Sequence, residues 1–171
     1  MERLQQYDVV VVGGGTAGVS AAVGAAKTGA KTLLIERNAY LGGEATNSGV
    51  SAFCGFYTCG ENPVRVVEGV GRLVLNEMEA LGPTVDYVIS ATGNRNINFQ
   101  PEYLKCAMDN LLEKERVDYL LHTSVIGADT ENGTITAIHC VDDEGTFTVA
   151  AKAFVDASGD ANLARLAGAH L

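Results

Sequence analysis

The segment Asp8–Arg37, DVVVVGGGTAGVSAAVGAAKTGAKTLLIER, constrains this chain more than any other, because it dictates a strand, a glycine turn, a helix and a second strand in that order. Val9 to Val12 form a continuous apolar run, the pattern of a parallel strand buried on both faces. Glycines then crowd the turn. Gly13 permits a sharp reversal, Gly15 lets a ligand approach the backbone, and Gly18 allows the helix that starts at Thr16 to pack closely on the strand. Such a helix offers unpaired N–H groups and the positive end of its dipole, with Thr16 and Ala17 in its first turn, and both favour phosphate. Glu36 stands at the end of the second strand, where a carboxylate can accept hydrogen bonds from both hydroxyls of an adenosine ribose and disfavours a 2′-phosphate. The segment reads as a nucleotide diphosphate site. A glycine turn that merely packs helix on strand is the plainer alternative, and the full strand–helix–strand context outweighs it.

At 171 residues the chain fits one domain, able to bury about 70 % of its unfolded surface. Its net charge of -9, with no basic run or stripe, excludes a phosphate-backbone partner such as nucleic acid and an acidic membrane surface. No apolar stretch reaches transmembrane length, and MERLQQYD lacks the order of a secretory signal, so a cytoplasmic protein without membrane contact is expected. The four cysteines, at 54, 59, 106 and 140, do not form a disulfide framework, and reduced thiols are expected. No His and Cys cluster has metal-ligand spacing, so no metal is expected, and His122, His139 and His170 read as structural or surface residues.

Beyond the second strand, Asn38 to Gly60 is rich in glycine and small residues and poor in helical periodicity, which suits backbone lying against a ligand. A helix is predicted from about Pro63 to Leu81, with Val67, Val70, Val74, Met78 and Leu81 on its inner face and Gly82-Pro83 as its stop. Val85 to Ser90 suits a short strand and residues 91–96 a polar loop. Pro101 opens another helix, to about Lys114, with Leu104, Met108, Leu111 and Leu112 inward and Cys106 riding on it. Tyr119 to Ile126 reads as a third parallel strand. A meander follows, with reversals at Asn132-Gly133 and Asp143-Glu144-Gly145 and a strand at Thr146 to Val149. Lys152 to Asp156 returns as a buried strand, and a helix begins about Ala161.

GGGTAG at 13–18, ERNAYLGGEAT at 36–46 and FVDASGDANLARLAGA at 154–169 together resemble the N-terminal part of an FAD-dependent oxidoreductase with a glutathione-reductase-type Rossmann domain. The resemblance covers nearly the whole chain. It implies an α/β fold, a doubly wound parallel sheet of order 3-2-1-4 with a β-meander crossover, and FAD as cofactor. The chain would then be the N-terminal portion of the FAD-binding domain: a βαβ unit at 1–37, a cofactor loop and helices at 38–118, and the third strand, meander, returning strand and a helix start at 119–171. In such a sheet the first strand and the Lys152 to Asp156 strand lie side by side, and ligands bind at that switch point, outside the carboxyl ends of the strands. Carried over residue by residue, the pattern places pyrophosphate on Gly13, Gly15, Thr16, Ala17 and Gly18, ribose on Glu36, and Arg37 close to the adenosine. Gly42, Gly43, Glu44, Ala45 and Thr46 would run along the pyrophosphate and ribityl chain, and Val125 would meet adenine through its backbone. Ala157, Ser158, Gly159 and Asp160 would approach from the opposite side, although Asp160 equally suits the N-cap of the following helix.

The resemblance implies an enzyme that transfers hydride between a small-molecule substrate and flavin. Members of the family continue past the equivalent of Leu171, so the C-terminal part of the family fold is absent, and a second polypeptide or a missing C-terminal domain is expected to complete it. Cys54 and Cys59 are the catalytic candidates inside the chain. Their C-x4-C spacing equals that of the redox pair in pyridine nucleotide-disulfide reductases, but there the first cysteine follows almost directly on the glycine pair, where this chain has Ala45 and Thr46. A thiol-disulfide flavoenzyme and a non-catalytic FAD- or nucleotide-binding subunit of a larger assembly therefore stand as alternatives. Phe56 and Tyr57 could lie over the flavin or line the substrate entrance, and packing anchors are the plainer reading of both. Arg65 and Arg95 could reach a substrate carboxylate, and a surface position is the plainer reading of both.

Overall fold

Strands that carry apolar side chains on both faces have to be covered on both faces, and β1 (Leu4–Val12) and β2 (Thr32–Ile35) obey this. Val10, Val11, Val12 and all four residues of β2 are buried. The computed structural model describes residues 4–82 and 85–170, so the expected stop at Pro83 lies outside the described residues. Helix α1 (Thr16–Lys27) joins the two strands and buries Gly18, Val19, Ala22 and Val23, one face of a helix by spacing. Thr28 ends it, its hydroxyl donating to the Ala25 carbonyl at 2.7 Å.

The chain divides into two compact units. The first consists of residues up to Leu41 and those from Leu112 onward. It holds β6 (Asp118–Leu120), β7 (Ser124–Glu131), β8 (Thr134–Asp142), β9 (Gly145–Asp156) and α5 (Asn162–Leu166), and its sheet has the order β6-β2-β1-β9-β8-β7. The parallel part, β6-β2-β1-β9, is the expected 3-2-1-4 arrangement. The expected third strand at Tyr119 to Ile126 divides in two. His122 takes a left-handed conformation (φ 52°), ending β6 and letting β7 turn into the meander. The two segments expected at Thr146 to Val149 and Lys152 to Asp156 are one twelve-residue strand. Its first half pairs antiparallel with β8 (145–150) and its second half parallel with β1 (148–156). Tyr7, Val10, Val12, Leu33, Ile35, Ile138, Cys140, Phe147, Val149 and Leu163 form one core, each large apolar side chain contributing about 1.5–3 kcal/mol on burial.

The second unit, Gly42–Leu111, contains α2 (Glu44–Asn47), β3 (Ala52–Phe53), α3 (Val70–Ala80), β4 (Val85–Ile89), β5 (Arg95–Phe99) and the start of α4 (Pro101–Lys114). Its antiparallel sheet has the order β3-β5-β4. Residues 95 and 96, expected in a polar loop, begin β5, where alternation places Ile97 and Phe99 inside and leaves Asn98 exposed. Phe53 packs on Phe99 at 4.5 Å between centroids. Helix α3 begins seven residues later than expected because Gly69, at φ 66°, sets the entry. Val74, Leu75 and Met78 are buried there, whereas Leu81 is exposed. On α4 the expected inner face of Leu104, Met108, Leu111 and Leu112 is buried and Cys106 is exposed. No described helix is long and apolar enough to cross a membrane.

Candidate functional site

The carboxyl ends of β1, β2 and β9 lie side by side, and the turns that follow them touch. Gly13 has φ 106°, and a Cβ there would fall on the Ala157 carbonyl oxygen and 2.9 Å from Ser158 Cα, so the two turns, expected to face one another across the cofactor, are instead in direct contact. A Cβ on Gly18 would run into the Gly13 carbonyl oxygen and lie 3.3 Å from Ala157 Cβ. Glycine at these positions is what lets α1 start directly against the strand ends. Gly15 is the N-cap, extended at φ -70°, and its carbonyl accepts from Val19 N–H at 2.9 Å. Helix α1 has no side-chain cap and no acidic residue in its first turn, so by helix geometry its leading N–H groups lack intrahelical acceptors. Thr16 and Ala17 are exposed, whereas Gly18 is buried. An anion at this end would meet N–H donors and a favourable dipole.

Glu36 is 6 % exposed, a buried carboxylate at the end of β2. Its Oε2 accepts from Gly14 N–H at 2.6 Å, and its Oε1 accepts from Asn38 N–H and Asn38 Nδ2, both at 2.7 Å. A carboxylate has about four acceptor positions, so one remains, on Oε2. A ribose hydroxyl can use that position at once, and a second can be accepted in exchange for one Asn38 bond. Gly14 and Asn38 thus hold the Glu36 carboxylate, a task that sequence reasoning passed over. Gly14 was hidden inside a run of three glycines, and a Cβ there would lie 2.6 Å from Leu41 Cδ2 and 2.9 Å from Glu36 Cβ. Arg37 is exposed. The end of β6 is tied to the same place, since Leu120 O accepts from Glu36 N–H at 2.8 Å and Asn38 O accepts from His122 N–H at 3.1 Å.

On the β9 side, Ala157 N–H donates to Val12 O at 2.8 Å. Asp156 then organises the turn: Oδ1 accepts from the Ser158 hydroxyl at 2.6 Å and from Ser158 N–H at 3.0 Å, and Oδ2 accepts from Ala164 N–H at 2.8 Å. Burial opposes ionisation of Asp156, but the bonds from the Ser158 hydroxyl and from the Ala164, Ser158 and Leu163 N–H groups outweigh it and hold the carboxyl below its ordinary range. Ser158 Oγ in turn accepts from Asn162 N–H at 2.8 Å. The N-cap expected of Asp160 is therefore not formed. The cap position is Ala161, in a left-handed conformation (φ 53°), and Asp156 and Ser158 satisfy the N–H groups. Asp160 and Gly159 are exposed, and a Cβ on Gly159 would meet open space.

In the second unit, Glu44 to Asn47 form a single short helical turn. Gly42 (φ 111°) and Gly43 (φ 56°) lead into it, Glu44 is exposed, and Ala45 and Thr46 are buried. Thr46 Oγ1 donates to Gly43 O at 3.3 Å. Val125 lies on β7, opposite Cys140 and beside an irregularity in the ladder, not on the parallel third strand. Cys54 and Cys59 are free and exposed, and Cys59 Sγ donates to Asn94 Oδ1 at 2.8 Å. Among the described residues no group of three His, Cys, Asp or Glu side chains could hold a metal ion.

These features fit FAD: a glycine turn with no room for a side chain at Gly13, Gly14 or Gly18, an uncapped helix start, and a buried carboxylate with one acceptor position left. The comparisons agree. Over 76 residues the chain is 38 % identical to digeranylgeranylglycerophospholipid reductase of Thermoplasma acidophilum, covering 44 % of this chain and 14 % of that protein. Over 49 residues it is 53 % identical to glutathione reductase of Yarrowia lipolytica, covering 29 % of this chain and 10 % of that one. The crystal structure of a geranylgeranyl bacteriochlorophyll reductase-like protein from Thermoplasma acidophilum shares the fold with a TM-score of 0.67 at 23 % identity, over 97 % of this chain and 43 % of that one. The chain thus spans less than half the length of each of these. The profile of the family described as FAD dependent oxidoreductase matches residues 8–171, and the chain belongs to that family, whose cofactor is FAD.

Proposed function

We infer that this chain is the FAD-binding portion of an oxidoreductase that passes hydride between a small-molecule substrate and flavin. The observation that carries this reading is the closed corner at Gly13, Gly18 and Ala157, with α1 starting uncapped beside it and Glu36 buried at the neighbouring strand end. Bound flavin supplies the electron-transfer chemistry itself. The residues of this chain bind and orient it. Gly13, Gly15, Thr16, Ala17 and Gly18 receive the pyrophosphate, Glu36 accepts from the ribose with Asn38 and Gly14 holding its carboxylate, and Arg37 lies by the adenosine. Ser158, Gly159 and Asp160 approach from the β9 side. For Gly42 to Thr46 and for Val125, support comes from the family resemblance alone.

Purified protein is expected to be yellow and to release FAD on denaturation; colourless protein that binds NAD instead would overturn the reading. Because the chain covers only 14 % of one relative and 43 % of the structural neighbour, turnover is expected to need residues supplied by a further domain or a partner chain. Comparing turnover of this chain alone and after that remainder is added separates an enzyme portion from a purely binding subunit. Cys54 and Cys59 are free thiols, and Cys59 donates its S–H to Asn94.

A further inference from the structure

Four basic side chains lie between Gly42 and Leu111: Arg65, Arg72, Arg95 and Lys105. Three of them have carboxylate partners, Arg65 with Glu68 at 2.6 Å, Arg72 with Glu79 at 3.5 Å and Lys105 with Glu102 at 2.7 Å. Arg95 has none among the described residues. Its guanidinium carbon lies instead 4.8 Å from the Tyr57 ring centroid and 5.1 Å from that of Tyr87. The two rings stand at 89° with centroids 6.2 Å apart, so the cation occupies the corner between them. Other arginines among the described residues also lack a carboxylate contact; what sets Arg95 apart is that two rings hold its cation while its Nε is buried without a hydrogen-bond partner.

The strand register builds this corner. Arg95 opens β5 opposite Ile89 of β4, and Tyr87, two residues along β4, shares that face by strand alternation. Tyr57 arrives from the loop that bridges back to Arg65. The rings attract the cation and steady its fork while offering no acceptor in the plane of the guanidinium. Arg95 Nε is buried without a hydrogen-bond partner, an arrangement that costs free energy until an acceptor is supplied. Ile89, directly across the ladder, is 57 % exposed.

We propose that this corner binds the carboxylate of a small-molecule acid with an apolar body, and that this acid is the substrate; the second half of the statement rests on the flavin reading above. A planar carboxylate is the partner a guanidinium fork engages with two oxygens at once. Tyr57, Tyr87 and Ile89 provide an apolar surface for the body of the acid. A doubly charged phosphate fits less well, because Arg95 is a single cation and the Glu79 carboxylate accepts from the Tyr87 hydroxyl only 2.7 Å away.

The test is an NMR titration of the 171-residue chain, with and without FAD, following the Arg95 Nε–Hε signal as 3-phenylpropionate, its neutral amide or inorganic phosphate is added. The propionate is expected to shift that signal and the Tyr57 and Tyr87 ring signals saturably. The amide and phosphate are expected to leave them in place. Arg95→Gln is expected to weaken propionate binding by about tenfold or more, and Lys105→Gln, whose cation already has Glu102, to leave it unchanged. An unmoved Arg95 signal, an equal response to the amide, or a response to phosphate in place of the propionate would overturn the proposal, and the wild-type titration decides it even where Arg95→Gln does not fold. Colourless protein that binds the propionate sinks the flavin reading and with it the substrate assignment, and leaves the carboxylate site standing. Yellow protein whose Arg95 signal stays put sinks this one alone.

Discussion

The two units use the same residue types for opposite purposes. In the parallel-sheet unit, Gly13, Gly14 and Gly18 are glycines because neighbouring atoms leave no room for a methyl group. In the Gly42–Leu111 unit, Gly42 is crowded by the Thr46 side chain and Gly71 by Phe56, but Gly49, Gly55, Gly60 and Gly69 have positive φ and open space around them and serve to steer the backbone. The strands differ likewise. All of β2 is buried, whereas β4 exposes Asp86 to Ile89 on an edge. Close packing thus specifies the first unit's geometry, and in the second, turn chemistry and aromatic contacts carry more of it.

Thiol chemistry gives the widest contrast. Burial first, and the nearby Asp142 charge second, push the Cys140 thiol up to about 12, while Cys54, Cys59 and Cys106 are exposed. A thiol reagent at mildly alkaline pH is expected to modify those three in the native protein and Cys140 only after denaturation. Four equally fast thiols would erase the distinction. Next in size is the glycine pair. Gly13→Ala is expected to lose about 3 kcal/mol or more from overlap with Ala157 and left-handed strain together, and Gly55→Ala about 1 kcal/mol from strain alone. Urea melts measure both, and similar losses would mean that packing does not separate the units.

Glu36→Gln should cost about 2 kcal/mol, because the amide NH2 has to face N–H donors from Gly14 or Asn38. Its FAD affinity, read by flavin fluorescence, should fall as well. A smaller effect, of opposite sign, is expected at Ala161: relieving its φ of 53° by Ala161→Gly should raise stability by about 1 kcal/mol. The smallest is a pH effect. A carboxyl held low in the fold, as Asp156 is, contributes stability that is present above its unfolded pKa and lost as pH falls through its folded value. The thermal midpoint should therefore drop below about pH 4, and Asp156→Asn should flatten that drop; identical slopes for both proteins would remove Asp156 from the account.

Much of the first unit was legible because its information is local. The Val9 to Val12 run, the glycine spacing and Glu36 sit within one short segment, and the strand order followed from the family pattern they belong to. The second unit was less legible because its partners are distant. Residues 95 and 96 suit a loop until β3 and β4 are in place on either side of β5, and the helix expected from Pro63 depended on Gly69 keeping helical backbone. Asp160 was an equally good cap by sequence. Asp156 takes that work because β9 carries it to the start of α5.

By itself, then, the sequence determined that a buried strand, a glycine turn and a helix would open a dinucleotide site ending in an acid, since those elements follow from periodicity and backbone freedom within thirty residues. Tertiary structure alone decided which groups hold that acid, that Ala157 closes against Gly13, and that Arg95 meets two tyrosines instead of a carboxylate. Those contacts join residues far apart in the chain, and no local propensity records which of them the folded sheet will bring together.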